Sequence, residues 1–142
     1  MIYADTNVML AVVCDDDLSA AADAWYESVT DPIVISPWTV IEFRANIGLR
    51  VRKKEFTRTA GLSALAQFDS LVDSALHTLA PAESHFRRAR DWLAHPECAL
   101  HSGDALHLAI AFGHQCRQFV TFDQPLGASA RKLKLPVLVL KP

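Results

Sequence analysis

The sequence predicts a three-layer α/β/α protein with a central, mostly parallel sheet of four to five strands. Three observations carry this. Short apolar runs alternate along the chain with longer stretches of helical periodicity, and strands that alternate with helices need crossovers that leave them parallel. Ile33-Val34-Ile35 is apolar without alternation, as a strand covered on both faces is. No linker, repeat or low-complexity segment interrupts the 142 residues, so residues 1–142 are expected to form one domain.

The elements follow in order. Ile2-Tyr3-Ala4 is a short strand that stops at Asp5, and Val8 to Cys14 reads as helix. A second helix, Leu18 to Val29, places Ala21, Ala24, Trp25 and Val29 near a 3.6 period, with Asp17 or Ser19 as its cap. The strand at Ile33 is followed by Ser36-Pro37, an N-cap and a proline at the first helical position, where the missing N–H costs nothing. The helix so opened reaches at least Arg50. Val40, Phe43 and Ile47 form its core stripe, and Glu42 falls one residue off it.

An amphipathic helix is expected over Glu55 to Ser74, a strand over Leu76 to Leu79 before Pro81, and a helix over Ala82 to His95, stopped by Pro96. Gly103 to Gly113 is almost wholly apolar and reads as a buried helix with Asp104 in its first turn. Gln118 to Phe122 is a strand ending at Asp123, Leu126 to Leu133 a short helix, and Val137 to Leu140 the last strand. Trp25, Trp38 and Trp92 lie in amphipathic helices, as core or groove residues rather than base-stacking platforms.

Composition narrows the function classes. A hydrophobic fraction of 51% with 21% charged residues is that of a globular protein and speaks against disorder. Cys14, Cys98 and Cys116 are an odd set without a paired motif, which suits a reducing compartment, so the cytoplasm is expected. The N-terminus lacks a basic leader, and no apolar run approaches the ~18–20 residues of a membrane span.

The net charge of −2 hides a segregation. Residues 1–36 carry Asp5, Asp15, Asp16, Asp17, Asp23, Glu27 and Asp31 without a Lys or Arg, whereas 44–58 hold Arg44, Arg50, Arg52, Lys53, Lys54 and Arg58 against Glu55 alone. Phosphate contacts depend on local charge, so this basic segment admits a nucleic-acid partner despite the acidic total; a solvated helix end is the plainer alternative.

Asp5, Glu42, Asp104 and Asp123 each sit where an apolar segment meets a turn or opens a helix. In open parallel sheets the ligand crevice lies beyond the carboxyl ends of the strands. Asp5 and Asp123 follow two such ends, and Glu42 and Asp104 ride on helices that can start at the same edge. At ~4 Å and an effective dielectric of ~20, two like charges repel by roughly 4 kcal/mol, so an assembled cluster needs protons or a cation. The one nearby base, Arg44, is two positions from Glu42 and off its helical face, which leaves a divalent metal as the counter-charge. Taken singly, each acid is explained as a helix cap or a strand end.

Tyr3-Ala4-Asp5-Thr6-Asn7, Ser36-Pro37-Trp38-Thr39-Val40-Ile41-Glu42, Gly103-Asp104-Ala105-Leu106-His107-Leu108-Ala109 and Thr121-Phe122-Asp123-Gln124-Pro125-Leu126 resemble, in order and spacing across nearly the whole chain, the four acidic motifs of PIN-domain ribonucleases. The compact length, the helix at Asp104 and the closing strand after Leu135 look most like VapC toxins of VapBC toxin–antitoxin modules. The resemblance implies a parallel sheet flanked by helices, and Mg²⁺ or Mn²⁺ bound by Asp5, Glu42, Asp104 and Asp123 for RNA hydrolysis, with tRNA or rRNA as substrate. It also implies a homodimer and a VapB-like antitoxin that blocks the site. Phe43-Arg44-Ala45-Asn46 after Glu42 and the asparagine at Asn7 depart from the commoner pattern.

Mg²⁺ keeps several waters and takes a few carboxylates plus substrate phosphate, which suits four acids better than a closed cage does. Asp5 and Asp104 are assigned the main metal contacts, with Glu42 and Asp123 positioning metal water or a second ion. Thr6, Asn7 and Thr121 are candidate donors to carboxylate or phosphate. Arg44, Arg50, Arg52, Lys53 and Lys54 are candidates for the RNA backbone. His95, Cys98 and His101 recur every three residues, but Pro96 breaks the helix that would align them for zinc. His107 is read as a buried, hydrogen-bonded histidine that can face the pocket.

A receiver-type phosphoacceptor domain would need an early acidic pair, a mid-chain strand-end Asp and a late Lys; Asp15-Asp16 falls in a loop after a helix, and no strand-end Asp is found mid-chain. A haloacid-dehalogenase-type phosphatase would need an Asp where Asn7 stands. A housekeeping RNA-processing nuclease or a catalytically silent RNA-binding module on the same fold is the alternative to the toxin.

Overall fold

The computed structural model describes residues 1–142. The five strands β1 (Ile2–Ala4), β2 (Ile33–Ile35), β3 (His77–Thr78), β4 (Gln118–Thr121) and β5 (Val137–Val139) form one sheet in the order β3-β2-β1-β4-β5. All four pairings are parallel, with Tyr3 in register with Val34 on one side and Phe119 on the other. Seven helices join them: α1 (Thr6–Val13), α2 (Ser19–Ser28), α3 (Pro37–Arg52), α4 (Arg58–Ser74), α5 (Glu83–Leu93), α6 (Ser102–Gly113) and α7 (Gln124–Lys132). The expected α/β/α class holds, with five strands and full parallelism. None of the helices is long and apolar enough to cross a membrane.

Period-two alternation divides the core between the sheet's faces. Ile2, Ala4, Ile33, Ile35 and Val120 point to the side packed by α1, α2, α3 and α4, where Phe43 and Phe68 stack with ring centroids 3.9 Å apart. Tyr3, Val34 and Phe119 point to the other, against Leu106, Leu108 and Ile110 of α6 and Leu126 of α7. The stripe Ala105 and Ala109 of α6 lets α5 approach closely through Ala89.

Caps fix where several helices begin. Asp5 accepts from the Thr6 amide at 2.7 Å, so α1 starts two residues before the expected Val8. Ser36 and Thr39 form a reciprocal capping box ahead of α3, with Pro37 at its first position. Lys54 takes a left-handed φ of 63°, which ends α3; Thr57 then caps α4, so α4 begins at Arg58 instead of Glu55. The cap expected for α2 is absent. Ser19 instead donates to the Cys14 carbonyl and accepts from the Asp16 amide, closing the turn between α1 and α2.

From β1 the chain moves outward to β2 and β3, then crosses back to place β4 and β5 on the opposite flank of β1. The strand order therefore reverses between β1 and β4, the place where parallel sheets open a crevice beyond their carboxyl ends. Asp5 follows β1, its amide bonded to the Val120 carbonyl, and Asp123 follows Thr121 of β4.

Candidate active site

Above that reversal a pocket of about 260 Å³ is lined by Asp5, Thr6 and Asn7 from the β1–α1 junction, Glu42 from α3, Asp104 from α6 and Asp123 from the cap of α7. The four sequence-nominated acids thus face one space. A larger, mainly apolar cavity of about 520 Å³ lies at the other end of α6, around Leu108, Phe112 and Cys116, and holds none of them.

Asp5 is the most buried of the four, 5% exposed. Its Oδ1 accepts from the Thr6 amide, and its Oδ2 from the Thr121 hydroxyl at 2.6 Å and the Asn7 amide at 2.8 Å. Asn7 also donates to Thr121 and accepts from the Phe122 amide at 3.0 Å, tying the ends of β1 and β4 together. Burial pushes the Asp5 carboxyl above the ordinary aspartate range; His107 and these donors oppose that rise, and the Asp104 charge adds to it.

Glu42 is held differently. Its Oε2 accepts from the Thr6 hydroxyl at 2.6 Å and from His107 Nε2 at 2.7 Å. Burial alone would raise its carboxyl, but His107, Thr6 and the nearby Trp38 indole outweigh it and hold it below the usual glutamate range. Asp104 is half-buried. Its Oδ2 accepts from the His101 amide at 3.2 Å, yet burial, with the neighbouring Asp123 charge, keeps its carboxyl raised. Asp123 is exposed and caps α7 through the Leu126 amide at 2.8 Å.

Thr6 and Thr121 are buried and donate to Glu42 and Asp5, while Asn7 braces Asp5; all three are carboxylate donors in this arrangement. The basic candidates are elsewhere. Arg44 makes a two-pronged contact to Asp69 of α4 at 2.6 and 2.7 Å, and Arg50 reaches Asp16 at 3.3 Å and lies over Phe56. Arg52 is ten residues beyond Glu42 on α3, roughly 15 Å along the axis at 1.5 Å per residue, with Lys53 and Lys54 further on. None of the five lines the pocket. His95 pairs with Glu97 at 3.2 Å rather than joining Cys98 and His101.

His107 is buried and hydrogen-bonded, as the sequence suggests, but its contact with Glu42 and the polar chain behind it were missed. The Tyr3 hydroxyl bridges His107 Nδ1 and the Ser36 hydroxyl, each at 2.8 Å. The spacing of three between Asp104 and His107 turns His107 toward the pocket, but it carries no signal of Tyr3 or Ser36.

No three acids, histidines or cysteines are grouped closely enough to hold a metal outright. Glu42 accepts from His107 and Thr6, Asp104 from the amide at its own helix start and Asp123 from the first turn of α7. The charged groups lining the pocket are all carboxylates, with no Lys or Arg among them, and burial raises the carboxyls of Asp5 and Asp104. That chemistry fits a hard divalent ion that retains waters, not a thiolate or imidazole metal.

Fold and site together define a parallel α/β protein with an acidic crevice at its strand-order reversal. The PIN domain family model matches residues 2–132, and the chain belongs to that family. Comparison with curated proteins gives no match. Among solved structures it resembles VapC20 of Mycobacterium tuberculosis, described as a sarcin-ricin loop cleaving toxin, with a TM-score of 0.72 at 19% identity, covering 91% of this chain and 95% of that one. FitAcB from Neisseria gonorrhoeae superposes at a TM-score of 0.67 and 19% identity, covering 97% and 96%. VapBC2 from Rickettsia felis, bound to a fragment of its promoter DNA, superposes at 0.68 and 15% identity, covering 99% and 100%. At these identities the likeness is one of fold.

Proposed function

We propose that this chain is a metal-dependent endoribonuclease and the toxin of a VapBC-type toxin–antitoxin module, hydrolysing RNA phosphodiester bonds at the acidic crevice. The convergence of Asp5, Glu42, Asp104 and Asp123 on one pocket carries the reading. Membership of the PIN domain family and likeness of fold to a toxin described as cleaving the sarcin-ricin loop support it.

Asp5, Asp104 and Asp123 would hold Mg²⁺ or Mn²⁺, with Glu42 held back from it by His107 and Thr6. An ion bound there supplies a water of lowered pKa and offsets charge on the phosphoryl oxygens. The chain's own groups do the rest. Thr121, Asn7 and the Thr6 amide fix Asp5 so that it cannot turn away from the substrate side. Glu42 orients the attacking water, whose oxygen bonds to phosphorus as the bond to the leaving ribose oxygen breaks; the water gives up a proton to solvent and the leaving oxygen takes one from it. The first amides of α6 favour an anionic phosphate beside Asp104.

A VapB-like antitoxin, a homodimer, a single PIN domain and a cytoplasmic site of action belong to the same proposal. Arg52, Lys53 and Lys54 remain the candidates for RNA backbone contact remote from the cut.

The test is cleavage of a mixed pool of tRNA and rRNA fragments by antitoxin-free protein, with Mg²⁺ or Mn²⁺ against EDTA, for wild type, Asp5→Asn and Asp104→Asn. Discrete metal-dependent products, lost in both folded variants, are expected. Metal binding without cleavage would favour an RNA-binding role, and no metal binding would refute the mechanism.

A further inference from the structure

Glu42 is held from three sides. Thr6 and His107 both contact its Oε2. On the other side, a Cβ built on Gly103 would lie 2.6 Å from Glu42 Oε1 and 3.3 Å from Trp38 Nε1, so the carboxylate and the indole nitrogen converge on bare backbone at the start of α6. That indole N–H is buried and has no other partner. It falls short of ordinary hydrogen-bond geometry, yet the N–H dipole beside the carboxylate helps keep the Glu42 carboxyl low.

The support behind Glu42 closes on itself. His107, 1% exposed, reaches Tyr3 through its other ring nitrogen; Tyr3 reaches Ser36; and Ser36 caps α3, the helix that carries Glu42. One ring of polar contacts therefore fixes both the helix and the side chain on it, and spans β1, α3 and α6. Burying these groups costs desolvation that an apolar core would avoid, which makes an orienting role the better account of them.

An ionised carboxylate offers about four acceptor sites. Thr6 and His107 occupy those of Oε2, and the indole faces one on Oε1, which leaves one site for a molecule in the pocket. We propose that His107 and Trp38 are positioning residues that fix Glu42 as an outer carboxylate, whose remaining acceptor site takes a water over the substrate phosphate instead of binding the metal directly. The inference rests on the ribonuclease reading for its catalytic consequence, but not for the contact itself.

The experiment compares wild type with Trp38→Phe, which keeps an aromatic ring and removes the N–H. It also compares His107→Asn, which cannot reach Glu42, and His107→Gln, which can, each alone and combined with Glu42→Gln. Expected are a fall in kcat of about 10- to 100-fold for Trp38→Phe and His107→Asn, the scale of an ångström-sized misplacement. KM for RNA stays unchanged, His107→Gln restores much of the rate, and neither substitution costs anything further in the Glu42→Gln background. Mn²⁺ affinity stays at the wild-type value throughout. Additive losses in the Glu42→Gln background, or weakened Mn²⁺ binding in Trp38→Phe, would overturn the proposal.

A second readout needs no activity. In ¹⁵N-labelled protein the Trp38 indole signal, identified by its loss in Trp38→Phe, is expected to shift in Glu42→Gln. An unmoved signal refutes the clamp even if the wild type cleaves RNA. A shifted signal in a protein that cleaves nothing leaves the clamp standing and refutes the ribonuclease reading. If His107→Asn fails to fold, Trp38→Phe and the indole signal decide the question alone.

Discussion

Asp5 pairs full burial with negative charge, and its titration direction makes that visible in stability. Its folded-state pKa is raised above the unfolded value of roughly 3.9. The folded state therefore holds the proton more tightly, and the stability contributed by this group is present below about pH 3.9 and lost as pH rises through the folded pKa. Asp104 has the same sign. Asp5→Asn is expected to melt higher than wild type at pH 7, with a gain that shrinks to nothing toward pH 4, while cleavage is abolished. Thermal melts between pH 4 and 8 check this, and a pH-independent difference would contradict it.

Gly103 is the second residue-scale case: its missing side chain is what lets Glu42 lie against α6. Gly103→Ala would force the carboxylate off Trp38 and His107. We expect about a 100-fold loss of cleavage rate with a modest drop in melting temperature, and unchanged cleavage would show that the position of Glu42 is not critical.

Between elements, the tightest seam is where α5 meets α6. A Cβ on Gly113, the last residue of α6, would overlap the imidazole of His85, which is buried on α5 and tied to the Ala82 amide. A constrained ring cannot give way as a flexible chain end would. The overpacking cost of about 1–3 kcal/mol should therefore exceed the gain of up to about 1 kcal/mol from replacing a helical glycine. Gly113→Ala is expected to lower the melting temperature by a few degrees at unchanged pH dependence, and a rise would show that α5 can shift.

At this scale much was legible. Ser36-Pro37 announced α3, and the apolar runs located β2, β4 and β5, because caps and unalternating strands are written in adjacent residues. What was not legible depended on partners distant in sequence. Asp5 looked like no more than a strand end because the Thr121 hydroxyl it accepts from lies 116 residues away. Arg44 and Arg50 looked free because Asp69 and Asp16 lie 25 and 34 residues away. His107 read as buried and hydrogen-bonded, but its partner showed only when α3 brought Glu42 across 65 residues.

Across the whole molecule, the same reversal of strand order that creates the crevice also concentrates negative charge there, while Arg52, Lys53 and Lys54 sit at the far end of α3. Folding thus holds together carboxylates that repel one another, and an ion that bound only the folded state would relieve the repulsion. Such binding stabilises by RT ln(1 + [L]/Kd), about 2.7 kcal/mol at a hundred times Kd, or roughly 5–11 °C for a chain of this size at about 2–4 °C per kcal/mol. The effect has a sign in pH as well. Because burial raises the carboxyls of Asp5 and Asp104, metal must displace protons there, so the rise in melting temperature should grow as pH climbs from about 4, the ordinary aspartate range, to about 7.5. Mn²⁺ titrations followed by thermal melts at both pH values, with EDTA as the reference, measure this. Asp5→Asn should lose the response together with its pH dependence. A metal effect equal in wild type and Asp5→Asn would place the ion outside the crevice and remove the physical reason for gathering four carboxylates there.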